Sequence, residues 1–98
     1  MILVTGSIVG RADTIDALIA QSLEHVRRSR GEPGCLAHAV HRDVEDPLRL
    51  VFFEEWTDRA ALATHFAVPA SLAFVKAVTA LAATPPAIQI YEATPAKV

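Results

Sequence analysis

The chain has 98 residues, 52% of them hydrophobic and 20% charged, and a net charge of -2. A length of this order supports one buried core, so residues 1–98 read as a single domain. The charge balance offers no basic field for a phosphate backbone, which excludes nucleic acid as the expected partner. No stretch reaches the ~20 apolar residues that cross a bilayer, and the start carries no basic, apolar leader. Cys35 is the one cysteine. With no partner for an internal disulfide and no second thiol for a metal site, it points to a reducing, cytoplasmic setting.

Residues Ile2 to Val9 are rich in β-branched side chains and stop at Gly10, the pattern of a first strand. From Asp13 to Arg30 the residues Ile15, Leu18, Ile19, Leu23 and Val26 recur at helical spacing, leaving Asp16, Gln21, Glu24 and Arg28 toward solvent. Gly31-Glu32-Pro33-Gly34 ends that helix. Cys35–Asp43 and Leu48–Trp56 read as an antiparallel hairpin turning at Val44-Glu45-Asp46-Pro47. A turn centred near Asp46 pairs Leu36 with Trp56, His38 with Glu54 and Val40 with Phe52. Thr57 is placed to cap a second helix through Phe66. Pro69 interrupts it, and Ala70–Ala82 resumes with Phe74, Val78 and Leu81 on one stripe. Pro85-Pro86 stops the third helix, and Ala87–Ala93 forms the last strand.

This order predicts an α+β, ferredoxin-like fold, one antiparallel sheet with helices on one face. Both faces of the central strands are nevertheless apolar: Leu36, Val40 and Phe52 on one, Ala37, Ala39, Val51 and Phe53 on the other. The uncovered face is expected to meet a second copy in a homodimer, an assembly like a dimeric α/β-barrel.

Four histidines and a carboxylate carry the candidate chemistry. His65 follows Leu62 by three positions and precedes Phe66, which puts its imidazole on an apolar helical stripe as a candidate base or hydrogen-bond donor. In that register His38 and Glu54 form a cross-strand pair able to fix an imidazole tautomer, whereas a two-residue shift would keep the faces and change the partners. A core histidine bonded to the backbone and a structural polar pair explain the same residues. Phe52, Trp56 and Phe74 are candidate walls for a flat ligand, or simply core. His41 alternates to the other strand face and His25 falls near the end of the first helix, so the histidines are not expected to converge and no metal site is predicted.

The segments Glu32-Pro33-Gly34-Cys35-Leu36, Arg42-Asp43 with Glu45-Asp46-Pro47, and Phe53-Glu54-Glu55-Trp56-Thr57-Asp58-Arg59-Ala60-Ala61-Leu62 with His65 resemble the antibiotic biosynthesis monooxygenase family, in particular its quinol-monooxygenase-like branch. The resemblance implies a dimer that oxidises a small phenolic or quinol-like substrate with dioxygen, without metal, flavin or haem. It carries His65 over as the family's helix histidine, and Glu54 and Trp56 as its strand motif. The chain departs from the pattern at Ala70, where many relatives have a second histidine, and at His38, where many have tyrosine. The residues of the haem-degrading branch are replaced. A non-catalytic small-molecule-binding protein of the same fold and a non-oxidative isomerase of a small metabolite are the alternatives. A phosphorylated substrate would require an Arg or Lys in the pocket, and on the central strands only Arg42 and Arg49 are available.

Overall fold

The computed structural model describes residues 1–98. The elements in chain order are β1 (Ile2–Val9), α1 (Ile15–Ser29), β2 (Cys35–Arg42), β3 (Arg49–Trp56), α2 (Arg59–Ala67), α3 (Pro69–Leu81) and β4 (Ala87–Glu92). The four strands form one sheet in the order β2-β3-β1-β4, antiparallel throughout. This is the ferredoxin-like α+β fold expected from the element order.

Alternation along β3 explains how the sheet is used. Leu50, Phe52, Glu54 and Trp56 are buried beneath the helices, because successive strand side chains point to opposite faces. Phe52 joins Ile8, Ile15, Leu18, Val26, Leu50 and Val78 in one apolar cluster. Trp56 joins Ile2, Val4 and Leu62 in a second. Glu54 therefore stands where the two clusters meet, a buried carboxylate between two patches of apolar core.

The hairpin register carries one correction. His38 lies opposite Glu54 and Val40 opposite Phe52, as expected, but Trp56 faces Cys35 because a bulge intervenes between Cys35 and Ala37. The extra residue is Leu36, which leaves the core-facing row and is exposed. The bulge follows Gly34, whose φ of 81° is the only positive value in the chain. A Cβ there would stand 2.6 Å from Ala61 Cβ and 2.7 Å from Thr57 Oγ1, so glycine is required both by backbone conformation and by the close approach of α2.

The helices need two smaller corrections. The cap of α2 is Asp58, whose carboxylate accepts from the Ala61 N–H at 2.8 Å, and not Thr57. Phe66 is exposed while Leu62 and His65 are buried, so the inward stripe of α2 is narrower than its apolar sequence suggests. Pro69 occupies the first position of α3, where its missing N–H costs nothing. The chain bends by 69° between α2 and α3, and no single helix is long and apolar enough to cross a membrane.

The opposite sheet face is uncovered. Val51 and Phe53 are 38% and 37% exposed there, and every residue of the edge strand β4 is exposed.

Candidate functional site

Three histidines converge, contrary to the expectation from their places in the sequence. His25 of α1, His38 of β2 and His65 of α2 are all buried. Their ring centroids lie 5.3 Å (His25 to His38), 5.2 Å (His25 to His65) and 5.6 Å (His38 to His65) apart. Only His41 stands away, exposed on the other face. His25 reaches the cluster because the buried row of α1 runs Leu18, Ser22, His25 and Ser29, spaced by four, three and four residues. The helical period was there to be read, but three of its four positions are polar and a search by apolarity passes over them.

Each ring is oriented by a different neighbour. Glu32, on the loop after α1, accepts a hydrogen bond from His65 Nδ1 at 2.8 Å; whenever that ring is neutral, this contact puts the lone pair on Nε2. The Arg28 guanidinium contacts His25 Nδ1 at 2.8 Å. Since guanidinium only donates, that nitrogen accepts and the neutral ring carries its proton on Nε2. Both His38 nitrogens are buried without a hydrogen bond, although Nε2 comes within 3.3 Å of Glu54 Oε1. That approach is close enough for electrostatic attraction and poorly aligned for a hydrogen bond. Glu54 Oε1 instead accepts from Trp56 Nε1 at 2.9 Å.

Protonation follows from these surroundings. Burial lowers the His25 pKa from 6.5 to about 3, reinforced by the charges of His38, His65 and Arg28 and only partly opposed by Glu54; the ring is neutral at physiological pH. Burial works against the charged form of Glu54 as well, but His38, the Trp56 N–H and the charge of His65 outweigh it and hold the carboxyl below its ordinary value. Glu54 is thus an anion among imidazoles. Burial, then Glu54 and Glu32, push the Cys35 thiol up despite Arg30, which disfavours the thiolate needed of a nucleophile.

A cavity of about 280 Å³ opens onto this cluster between α3 and strands β1 and β4. Its walls include Ile8, Phe52, Phe74, Val78 and Ile88, and its polar lining includes His25 and Glu54. Phe74 stacks on the His25 ring at a centroid distance of 3.9 Å and an interplanar angle of 5°. Of the residues singled out in the sequence, Phe52, Phe74 and Glu54 line the cavity. His38, His65 and Trp56 do not; they form the layer behind Glu54 and His25, with the Trp56 ring 4.6 Å from that of His65. No Arg or Lys lines the cavity, Arg42 and Arg49 included. A larger, shallower groove at Thr57–Ala60 and Thr94 contains no histidine.

Residues 1–77 match the family model of antibiotic biosynthesis monooxygenase. The chain belongs to this family. An uncharacterised Synechocystis protein, sll1783, is 37% identical over 91 residues, covering 93% of this chain and 62% of that protein; the chain thus spans about three fifths of its curated relative's length. A solved Deinococcus radiodurans structure named for the same family superposes with a TM-score of 0.94 at 28% identity, over 100% of this chain and 97% of the other. A further structure named antibiotic biosynthesis monooxygenase reaches 0.89 at 33% identity, over 97% and 100% of the two chains. Rv0793 of Mycobacterium tuberculosis reaches 0.91 at 25% identity, over 99% and 98%.

Proposed function

We propose that this member of the family is a monooxygenase of the quinol-monooxygenase-like kind, oxidising a small phenolic or quinol-like compound with dioxygen and no resident cofactor. The observation that carries the reading is the apolar cavity of about 280 Å³ whose polar lining includes Glu54 and His25. A void of about 150 Å³ accepts benzene, so one or two aromatic rings match the space. Phe52 and Phe74 supply flat walls. A cavity without Arg or Lys offers nothing to a phosphorylated substrate, which disfavours the isomerase alternative.

In this reading Glu54 accepts the phenolic proton and His25, with its proton on Nε2, donates to the oxygen anion that develops. A carboxylate held low is a weak base toward an intact phenol. Electron and proton therefore leave together, because a phenol that has given an electron to dioxygen becomes strongly acidic. Recombination of the radical pair at a ring carbon, followed by loss of water, converts a phenolic O–H and a ring C–H into two carbonyls. One oxygen atom enters the product and the other leaves as water, balancing phenol plus dioxygen against quinone plus water. His65, fixed by Glu32, and His38, beside Glu54, position the two groups that meet substrate.

Oxygen consumption by chelator-treated protein, measured against a panel of hydroquinones and polyphenols, tests the reading. Uptake well above autoxidation, with one labelled oxygen atom retained in the product, is the expected result. Saturable binding of the same compounds without uptake would instead establish a binding protein.

The reading includes a homodimer through the face that carries Val51 and Phe53, in the reducing cytoplasm that suits a chain with one unpaired thiol. Sedimentation equilibrium is expected to return twice the 10.5 kDa chain mass. Phe53→Glu, which places a charge on the apolar face, is expected to return a single chain; a native monomer would sink the proposal.

A further inference from the structure

The geometry points to a divalent transition-metal site formed by His25, His38 and His65. The three residues come from three elements, and one ligand nitrogen from each lies within 4.8 Å of the other two. An ion at the centre of such a triangle stands at most about 2.8 Å from each nitrogen, roughly 0.7 Å beyond the ~2.1 Å of a zinc–imidazole bond. Small side-chain rotations close that gap. Imidazole nitrogen is the donor that first-row divalent ions such as Zn²⁺ and Co²⁺ share.

The surroundings match what a metal-binding histidine needs. A carboxylate on the distal nitrogen fixes the tautomer and strengthens the ligand, and Glu32 holds His65 Nδ1 at 2.8 Å in that way. Glu54 stands 3.3 Å from His38 Nε2, which turns His38 Nδ1, buried and without a partner, toward the role of ligand. Two carboxylates also balance the charge of a divalent ion in a buried place. His25 lines the cavity, which supplies a route of entry for the ion.

Arg28 opposes binding. Its guanidinium donates to His25 Nδ1 and so keeps the proton on the nitrogen that would ligate. Coordination through Nε2 moves that proton to Nδ1 and breaks the Arg28 contact. Arg28 is only partly buried and can turn outward. Its replacement by glutamine, whose carbonyl can accept from Nδ1–H, should favour the ligating tautomer.

Ion binding stands apart from the oxygenase reading, whereas its consequence rests on it: the ion takes the His25 nitrogen assigned there to the developing anion, so occupancy inhibits. Metal-stripped protein is titrated with Zn²⁺ by calorimetry and with Co²⁺ by visible absorption, no substrate being present. One ion per chain is expected, with binding weakened at least about tenfold in His25→Phe and in His65→Asn, unchanged in His41→Ala, and tightened several-fold in Arg28→Gln. Absence of binding, equal binding by the histidine variants, or dependence on His41 overturns the site. An Arg28→Gln protein that folds and binds no tighter overturns ligation through His25 Nε2. Inhibition of oxygen uptake by Zn²⁺ is measured separately; a protein that binds the ion and consumes no oxygen retains the metal site and loses the oxygenase.

Discussion

Glu54→Gln is expected to reduce oxygen uptake by about 100-fold or more while leaving the fold intact. The two side chains have the same shape, and the glutamine carbonyl can still accept from Trp56 Nε1, which now meets Glu54 Oε1 at 2.9 Å. What disappears is the negative charge and the ability to take a proton, and a positioned acid or base contributes roughly 100-fold to 10,000-fold. The loss should fall on kcat, because the apolar walls that hold the substrate, Phe52 and Phe74 among them, are untouched. Steady-state uptake measured across substrate concentration separates kcat from KM. A loss of less than about threefold would show that the carboxylate serves only as the partner of Trp56 and His38. His65→Asn gives the complementary comparison: His65 does not line the cavity and acts through its neighbours, so its effect should be smaller than that of Glu54.

The difference between what the sequence revealed and what it concealed follows from the kind of signal each residue gives. Strand alternation and hairpin length place His38 opposite Glu54, because a period of two leaves little freedom once the turn is located. Helical spacing from Leu62 places His65 inside. His25 obeys the same rule, two turns beyond Leu18, but its companions Ser22 and Ser29 are small and polar, so the stripe does not look like one. The bulge that removes Leu36 from the core has no local sequence signature beyond Gly34, and the need for that glycine comes from Ala61 and Thr57, far along the chain. The Glu32 to His65 contact joins a loop and a helix 33 residues apart. Such contacts depend on how elements dock, and periodicity within an element does not encode them.

Trp56→Ala is expected to cost about 4 kcal/mol or more, close to the whole stability of a marginal domain, which lies at roughly 5–15 kcal/mol. Trp56 has no exposed surface and sits against Ile2, Val4 and Leu62, so its removal leaves a void that the surrounding strands can only partly fill. It also removes the Nε1 donor from a buried carboxylate, and an orphaned charged group costs more than a neutral one. Trp56→Phe separates the two losses: most of the ring volume stays while the N–H goes, with an expected cost of about 1.5–3 kcal/mol, the range for a hydrogen bond to a charged group. The sign of its pH dependence is fixed by Glu54. Because the folded carboxyl is held below its ordinary value, its contribution is full above the unfolded pKa and is lost as pH falls through the folded one. Trp56 is one cause of that lowering, so the deficit of Trp56→Phe should be largest near neutrality and shrink in acid. Denaturant unfolding of both variants at neutral and acidic pH measures it. A deficit that stays constant with pH would assign the stabilisation to packing of the indole and leave the N–H bond to Glu54 without weight.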